Sequence, residues 1–245
     1  MNEKIFIKGA SQLLGVNTQT LRRWDKSGRL KAKRKKSGKK NFYFYEMDDI
    51  NDFLSENFSV LLKLAMKWSF STVPIELPKK LYCPDKAIFK ARLSRFEFDL
   101  SKNQKFNKIF SLIVAVAGEI GNNSFDHNLG NWRDVNGIFF GYNLSAGKLV
   151  LADRGQGVLT TLKRAKPSLS NYTDALTVAF TEIISGRSPE SRGNGLKFVK
   201  EVVREYDFKL SFQSGDAILN LDKKGGLVIK NSDKFMNGCL AILTF

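Results

Sequence analysis

The chain has 245 residues, 42% of them hydrophobic, with 40 Lys and Arg against 24 Asp and Glu, a formal charge of +16 and an isoelectric point near 9.8. That is enough apolar material for a sizeable core in one or two domains, and the positive surplus makes polyanions the first partners to consider. Cys83 and Cys239 have no metal-ligand spacing and His127 is the single histidine, which argues against a cysteine-histidine metal site and for reduced thiols. No apolar run approaches the roughly 20 residues of a membrane span, and "MNEKIFIKGASQ" has no signal-peptide core, so a cytoplasmic protein without membrane contact is expected.

The charge is concentrated at the start. Residues 1–45 hold 13 Lys and Arg against two acids, Glu3 and Asp25, a net of +11. Within this segment "GASQLLGVNTQTLRRWDKSGRL" predicts two short helices, Ala10 to Leu14 and Thr18 to Lys26, separated by a turn at Gly15-Val16 with Asn17 as the second helix's N-cap. Leu13, Leu14, Val16, Leu21 and Trp24 form the expected shared core. Gln19, Thr20, Arg22 and Arg23 then point outward, as residue types that reach bases and phosphates in a major groove. "KAKRKKSGKKNFYFYEMDD" has a turn at Ser37-Gly38 between a basic and an aromatic arm, the pattern of a β-hairpin wing. "EMDDINDFLSENF" reads as a helix whose acidic first turn suits its dipole.

From Ala10 to Leu54 the chain resembles the winged helix-turn-helix of MerR and excisionase-type DNA-binding proteins. The pattern "A-x-x-L-G-V-x-x-x-T-L-R-R-W-x-x-x-G-x-L", a basic wing and "D-I-x-x-F-L" carry the resemblance. The usual glycine-histidine-arginine-arginine-tyrosine at the wing tip is replaced by "SGKKNFYFY". The resemblance implies double-stranded DNA as partner, contacted by Asn17, Gln19, Thr20, Arg22 and Arg23 and by Lys33, Arg34, Lys35, Lys36, Lys39 and Lys40 of the wing.

"STVPIELPKKLYCPDK" contains three of the five prolines and reads as a linker or strand edge, and "KARLSRFEFDLS" alternates like a strand. The domain boundary is set near residue 68, giving units 1–68 and 69–245. In the second unit "KFNKIFSLIVAVAG" has the nearly all-round apolar spacing of a helix buried against a sheet. Its continuation, "GEIGNNSFDHN", places Glu119, Asn123 and His127 four residues apart on one face, with Asp126 adjacent. Buried polar groups at that density are paired or functional; a plain helix end at Asn128 and Gly130 accounts for the asparagines but not for Glu119. Downstream, Lys148 to Ala152 reads as a strand running into Asp153-x-Gly155-x-Gly157. A second glycine pair, Gly193 and Gly195, opens an amphipathic helix, where backbone amides make an anion site.

Taken in this order and spacing, the three segments resemble the GHKL superfamily of gyrase-type topoisomerases, ninety-kilodalton heat-shock chaperones, histidine kinases and mismatch-repair ATPases, over roughly Phe89 to Phe245. The fold expected is therefore α+β, an N-terminal winged helix-turn-helix followed by a GHKL (Bergerat) α/β sandwich. The resemblance implies ATP and Mg²⁺ as cofactors, with Asn123 as the metal ligand, Asp153 accepting from the adenine amino group, and Gly155 and Gly157 at the base. Gly193, Asn194, Gly195 and Leu196 lie on the phosphates. It also implies a mobile lid over Leu159 to Arg192, from which Arg187 or Arg192 reaches the γ-phosphate, and a general base at Glu119. For His127 a structural hydrogen bond is as good a reading as catalysis.

A histidine autokinase is excluded, because the single histidine already lies in the nucleotide segment. The preferred expectation is an ATP-responsive DNA-binding transcription regulator, with a homodimer possible. The alternatives are an anti-sigma-type serine/threonine kinase acting on a STAS-like partner, and a DNA-associated ATPase of a defence or remodelling system.

Overall fold

The structure, a computed structural model, describes residues 3–37, 40–183 and 195–245. The first unit starts with β1 (Lys4–Phe6), α1 (Ile7–Leu14) and α2 (Thr18–Lys26), followed by β2 (Lys33–Ser37), β3 (Lys40–Glu46) and α3 (Met47–Glu56). The three strands form an antiparallel sheet in the order β1-β3-β2. Asn17 caps α2 as expected, its side chain accepting from the Thr20 N–H at 2.7 Å. α1 begins three residues before the predicted Ala10, because β1 pairs with β3 and delivers the chain directly into the helix at Ile7. Ala10, Leu14, Leu21, Ile50 and Leu54 are buried in a common core, while Leu13, Val16 and Trp24 pack against it partly exposed.

Next comes α4 (Phe58–Phe70), the helix that joins the two halves. Residue 68, near which the boundary was set, lies within this helix. Beyond it run β4 (Tyr82–Cys83), α5 (Lys86–Lys102), α6 (Phe110–Asn128), β5 (Ile138–Asn143), β6 (Lys148–Asp153), α7 (Gly157–Lys163) and α8 (Tyr172–Thr181). α9 (Gly195–Glu205), β7 (Lys209–Asp222) and β8 (Gly226–Thr244) complete the described residues. The second sheet is antiparallel throughout, in the order β4-β5-β6-β8-β7.

Both faces of that sheet are covered at β5 and β6, which are buried along nearly their whole length. Along β6, Leu149 and Leu151 face the α5, α6 and α9 side with Phe89, Phe96, Val116, Ile120 and Val203. Val150 and Ala152 face the other side, where Leu61, Leu64, Ala65 and Trp68 of α4 lie. Because successive strand side chains alternate, Asp153 is directed to the α6 side and Arg154 to the α4 side.

One expectation is corrected. "KARLSRFEFDLS" is helical, within α5: Asp85 caps that helix by accepting from the Ile88 N–H at 2.8 Å, and Phe89, Phe96 and Leu100 are buried at helical spacing. The period-two alternation was a short coincidence on a helix with a wide polar face. In the described part of the segment expected as a lid, Leu159 to Arg192, two helices pack together: Leu159, Leu162, Leu169, Ala175 and Val178 form their own apolar cluster, and Leu176 and Phe180 join the main core. Cys83 and Cys239 are free thiols; burial pushes Cys83 up to about 11 and Cys239 well above the ordinary thiol value. Among the described residues no helix is long and apolar enough to cross a membrane.

Candidate functional site

The basic surface of the first unit is built on α2. Leu21 is turned fully inward, which leaves Gln19, Arg22 and Arg23 exposed on the opposite side. Asn17 uses its side-chain oxygen on the cap, and Thr20 Oγ1 accepts from Arg23 Nη2 at 3.1 Å, so Asn17 and Thr20 shape the surface as much as they line it. In the wing, Lys35 and Lys36 are exposed, whereas Lys33 pairs with Glu46 at 2.7 Å. Arg34 lies 3.5 Å from Asp25 Oδ2 and over the Tyr43 ring, 5.3 Å from its centroid. Asp25 also accepts from the Ala32 N–H at 3.0 Å, and so ties the wing to the end of α2; its part in orienting the two was not visible from the sequence. Lys39 lies outside the described residues, and only the strand position of Lys40 is described.

Arg22→Ala is expected to weaken binding to duplex DNA and to lower the slope of log K against log salt by about one, as for the loss of a single phosphate contact. An unchanged slope in binding titrations over a range of salt would remove Arg22 from the interface.

In the second unit, α6 carries two constellations one turn apart. Near its middle, Gly195 at the start of α9 approaches so closely that a Cβ there would stand 2.3 Å from Glu119 Oε2 and 3.4 Å from Asn123 Nδ2. This contact brings together two segments over seventy residues apart. One turn further on, Ser124 Oγ donates to Asp153 Oδ2 at 2.7 Å, and Asp153 Oδ1 receives the Gly155 N–H at 2.9 Å and Asn128 Nδ2 at 3.4 Å. Asn128 Oδ1 accepts from the Gln156 N–H at 2.9 Å, and a Cβ on Gly155 would overlap the Asn128 amide at 2.1 Å. Gly157 opens α7, where the Val158 N–H donates to Ser214 Oγ at 3.0 Å and that hydroxyl donates to the Gly238 carbonyl at 3.0 Å.

Asp153 is 2% exposed, and burial raises its carboxyl to about 6 even though Ser124, Gly155, the Cys239 backbone and Asn128 all favour the charged form. Donors alone surround it, so it is held as an acceptor. Asp126 pairs with Lys86 at 2.7 Å, and the His127 carbonyl accepts from Gln156 Nε2 at 2.5 Å. Leu196 packs partly buried against the main core.

The structure thus gathers Glu119, Asn123 and Gly195 at one place and Asp153, Gly155 and Gly157 at another, with α6 common to both. Arg187, Arg192, Gly193 and Asn194 lie outside the described residues. Sequence reasoning treated Asn128 as a helix stop and passed over Ser124, Ser214 and Arg154. The seryl and asparaginyl spacing of "NNSFDHN", with Ser124 and Asn128 at i and i+4, was the available signal for the first two contacts to Asp153. Among the described residues no three His, Cys, Asp or Glu side chains cluster as a metal site. At this contact Asn123 turns its Nδ2 toward Gly195, and its amide oxygen has the hard-donor chemistry that could hold Mg²⁺.

No curated protein matches the chain. Residues 6–55 match the family model described as MerR HTH family regulatory protein, so this segment is a MerR-type helix-turn-helix domain, with the exposed α2 and wing surfaces described above in the place of a DNA-binding element.

Proposed function

We propose that the chain is an ATP-responsive DNA-binding transcription regulator, in which the MerR-type segment binds duplex DNA and residues 69–245 form a GHKL nucleotide-binding domain. The observation that carries the nucleotide part is α6, which presents Glu119 and Asn123 to Gly195 while Ser124 and Asn128 of the same helix secure Asp153. One buried carboxylate ringed by donors supports recognition of an exocyclic amine. The glycine-flanked start of α9 supports phosphate binding by backbone amides. Asn123 would hold Mg²⁺, which would neutralise phosphate charge when bound. The residues' own part is then to orient the base at Asp153, to hold the phosphate end at Gly195 and to aim Glu119.

The Glu119 carboxylate beside the start of α9 favours a second reading in which phosphate is transferred, to water or to a serine or threonine hydroxyl of a partner protein. Glu119 would take the proton from the attacking hydroxyl. The two readings separate in one experiment. ATP binding and phosphate release are measured for the wild-type protein, Glu119→Ala and Asn123→Ala with Mg²⁺ present. Binding kept in Glu119→Ala with release abolished establishes turnover with Glu119 as base. Binding lost in Asn123→Ala, with no release by any of the proteins, leaves a nucleotide sensor. Wild-type protein that binds no ATP would rule out both.

A further inference from the structure

Arg154 lies between the buried acceptor Asp153 and Gly155, and nothing in nucleotide recognition requires an arginine there. It is 2% exposed, and its side chain leaves the sheet on the face opposite Asp153. On that face it reaches the C-terminal end of α4. Nη1 donates to the carbonyl of Trp68, to that of Ser71 at 2.9 Å and to Ser71 Oγ at 3.1 Å, and the guanidinium carbon stands 5.8 Å from the Trp68 ring centroid. The other edge of the guanidinium holds Asp134: Nε donates to Oδ1 at 3.0 Å and Nη2 to Oδ2 at 2.5 Å. Asp134 belongs to the segment joining α6 to β5, the same α6 whose last residue, Asn128, contacts Asp153.

Two physical facts make this more than packing. The last four carbonyls of a helix lack partners within it, and a cation there also favours the helix dipole. A lysine on α4 or solvent would serve that need, yet the cap comes from the residue after Asp153. A buried guanidinium, moreover, is tolerated only when paired and fully hydrogen-bonded. Its planar fork therefore fixes the Asp153–Gly155 backbone, the end of α4 and Asp134 in one geometry.

From α4 the connection runs into the DNA-binding unit. Leu61, Leu64 and Ala65 share a core with Ala10 and Leu14 of α1, and Lys67 Nζ donates to the Gln12 carbonyl at 2.6 Å. α1 packs in turn on α2 through Leu14 and Leu21.

We infer that Arg154 is a positioning residue that couples occupancy of the Asp153 site to the setting of the winged helix, through the C-terminal end of α4. This rests on the nucleotide reading above. A ligand held at Asp153 fixes the turn that bears Arg154, and the fork transmits any shift of that turn to α4 and on to α1 and α2. Tightly packed elements of this kind change between discrete arrangements rather than deform continuously.

The test measures the affinity of the full chain for a labelled duplex, recovered from a randomised pool by selection on the wild-type protein, with and without Mg-ATP. ATP affinity and Tm are measured alongside. Arg154→Lys keeps the charge but cannot hold both partners, and Asp134→Asn loosens the same fork from its other edge. In the wild-type protein Mg-ATP is expected to change DNA affinity by about fivefold or more, a common size for coupling between sites. In both variants that ratio is expected to fall towards one, with ATP affinity and ATP-free DNA affinity each kept within about threefold. A merely structural Arg154 would lower Tm and leave the ratio intact, and that result overturns the inference. Wild-type protein that binds ATP without any change in DNA affinity overturns it too, while the nucleotide reading survives. Wild-type protein that binds no ATP removes both, and the separate ATP titration tells the two failures apart.

Discussion

Asp153→Asn is expected to weaken ATP binding by about tenfold to a hundredfold, the equivalent of a lost charge-assisted hydrogen bond worth roughly 1.5–3 kcal/mol. The wild-type carboxylate receives Ser124 Oγ on one oxygen and the Gly155 N–H and Asn128 Nδ2 on the other. An amide has one acceptor oxygen for this ring of donors and turns its NH₂ toward the rest, so the acceptor left for an exocyclic amine is lost or misaimed. The pH dependence follows from burial, which raises the carboxyl from 3.8 to about 6. Affinity for ATP should therefore be full above about pH 6 and decline as pH falls through that value, when protonation removes the acceptor.

Stability has the opposite sign. The native state holds this proton more tightly than the unfolded chain, so the contribution to stability is present below about pH 4 and lost as pH rises to about 6. Calorimetric ATP titration and thermal unfolding of both proteins at about pH 5 and about pH 7.5 check the pair of trends. Comparison with Asp153→Asn cancels the titration of the phosphates themselves. Equal ATP affinities for the two proteins above pH 6 would place the base elsewhere.

Trp68→Ala is expected to destabilise the protein by about 3–5 kcal/mol, with a fall in Tm on the order of 10 °C. Trp68 is 1% exposed on α4, with ring centroids of Tyr82 and Phe139 each 6.5 Å away and the Arg154 guanidinium over its face. It belongs to the cluster that holds Ala10 and Leu14 of the helix-turn-helix together with Phe139, Val150 and Leu240 of the large sheet. The loss should consequently be felt on both sides, as one cooperative transition at lower temperature with DNA binding lost along with it. Thermal unfolding followed by circular dichroism and by DNA binding would show whether they fall together. Destabilisation below about 1 kcal/mol would mean that α4 is not seated on the sheet.

Where signals were local, the sequence was sufficient. The Asn17 cap, the run of α2 to Lys26, the wing hairpin and the β6 strand ending at Asp153 each depend on residues within a few positions of one another, and their chemistry is the same in any surroundings. The spacing of Glu119 and Asn123 on one helix face, and of Asp153, Gly155 and Gly157 after a strand, was likewise readable as pattern. It was the fold that brought Gly195 against Glu119 and placed Ser124 and Asn128 on Asp153.

Other features depended wholly on what covers what. α5 looked like a strand because five or six alternating residues cannot distinguish a strand from one stretch of a helix; the buried contacts of Phe89, Phe96 and Leu100 decided it. No local rule made residue 68 part of a helix shared by two halves, since the apolar face of α4 has meaning only once the second face of the large sheet lies against it. Arg154 reads as a variable residue between an aspartate and a glycine until strand alternation turns it to the α4 side and burial requires partners for its charge. The sequence by itself determined elements such as α2, the wing hairpin and β6, because those follow from short-range spacing. Only the tertiary structure decided which segments meet, because that depends on contacts between residues as far apart in the chain as Ser71 and Arg154.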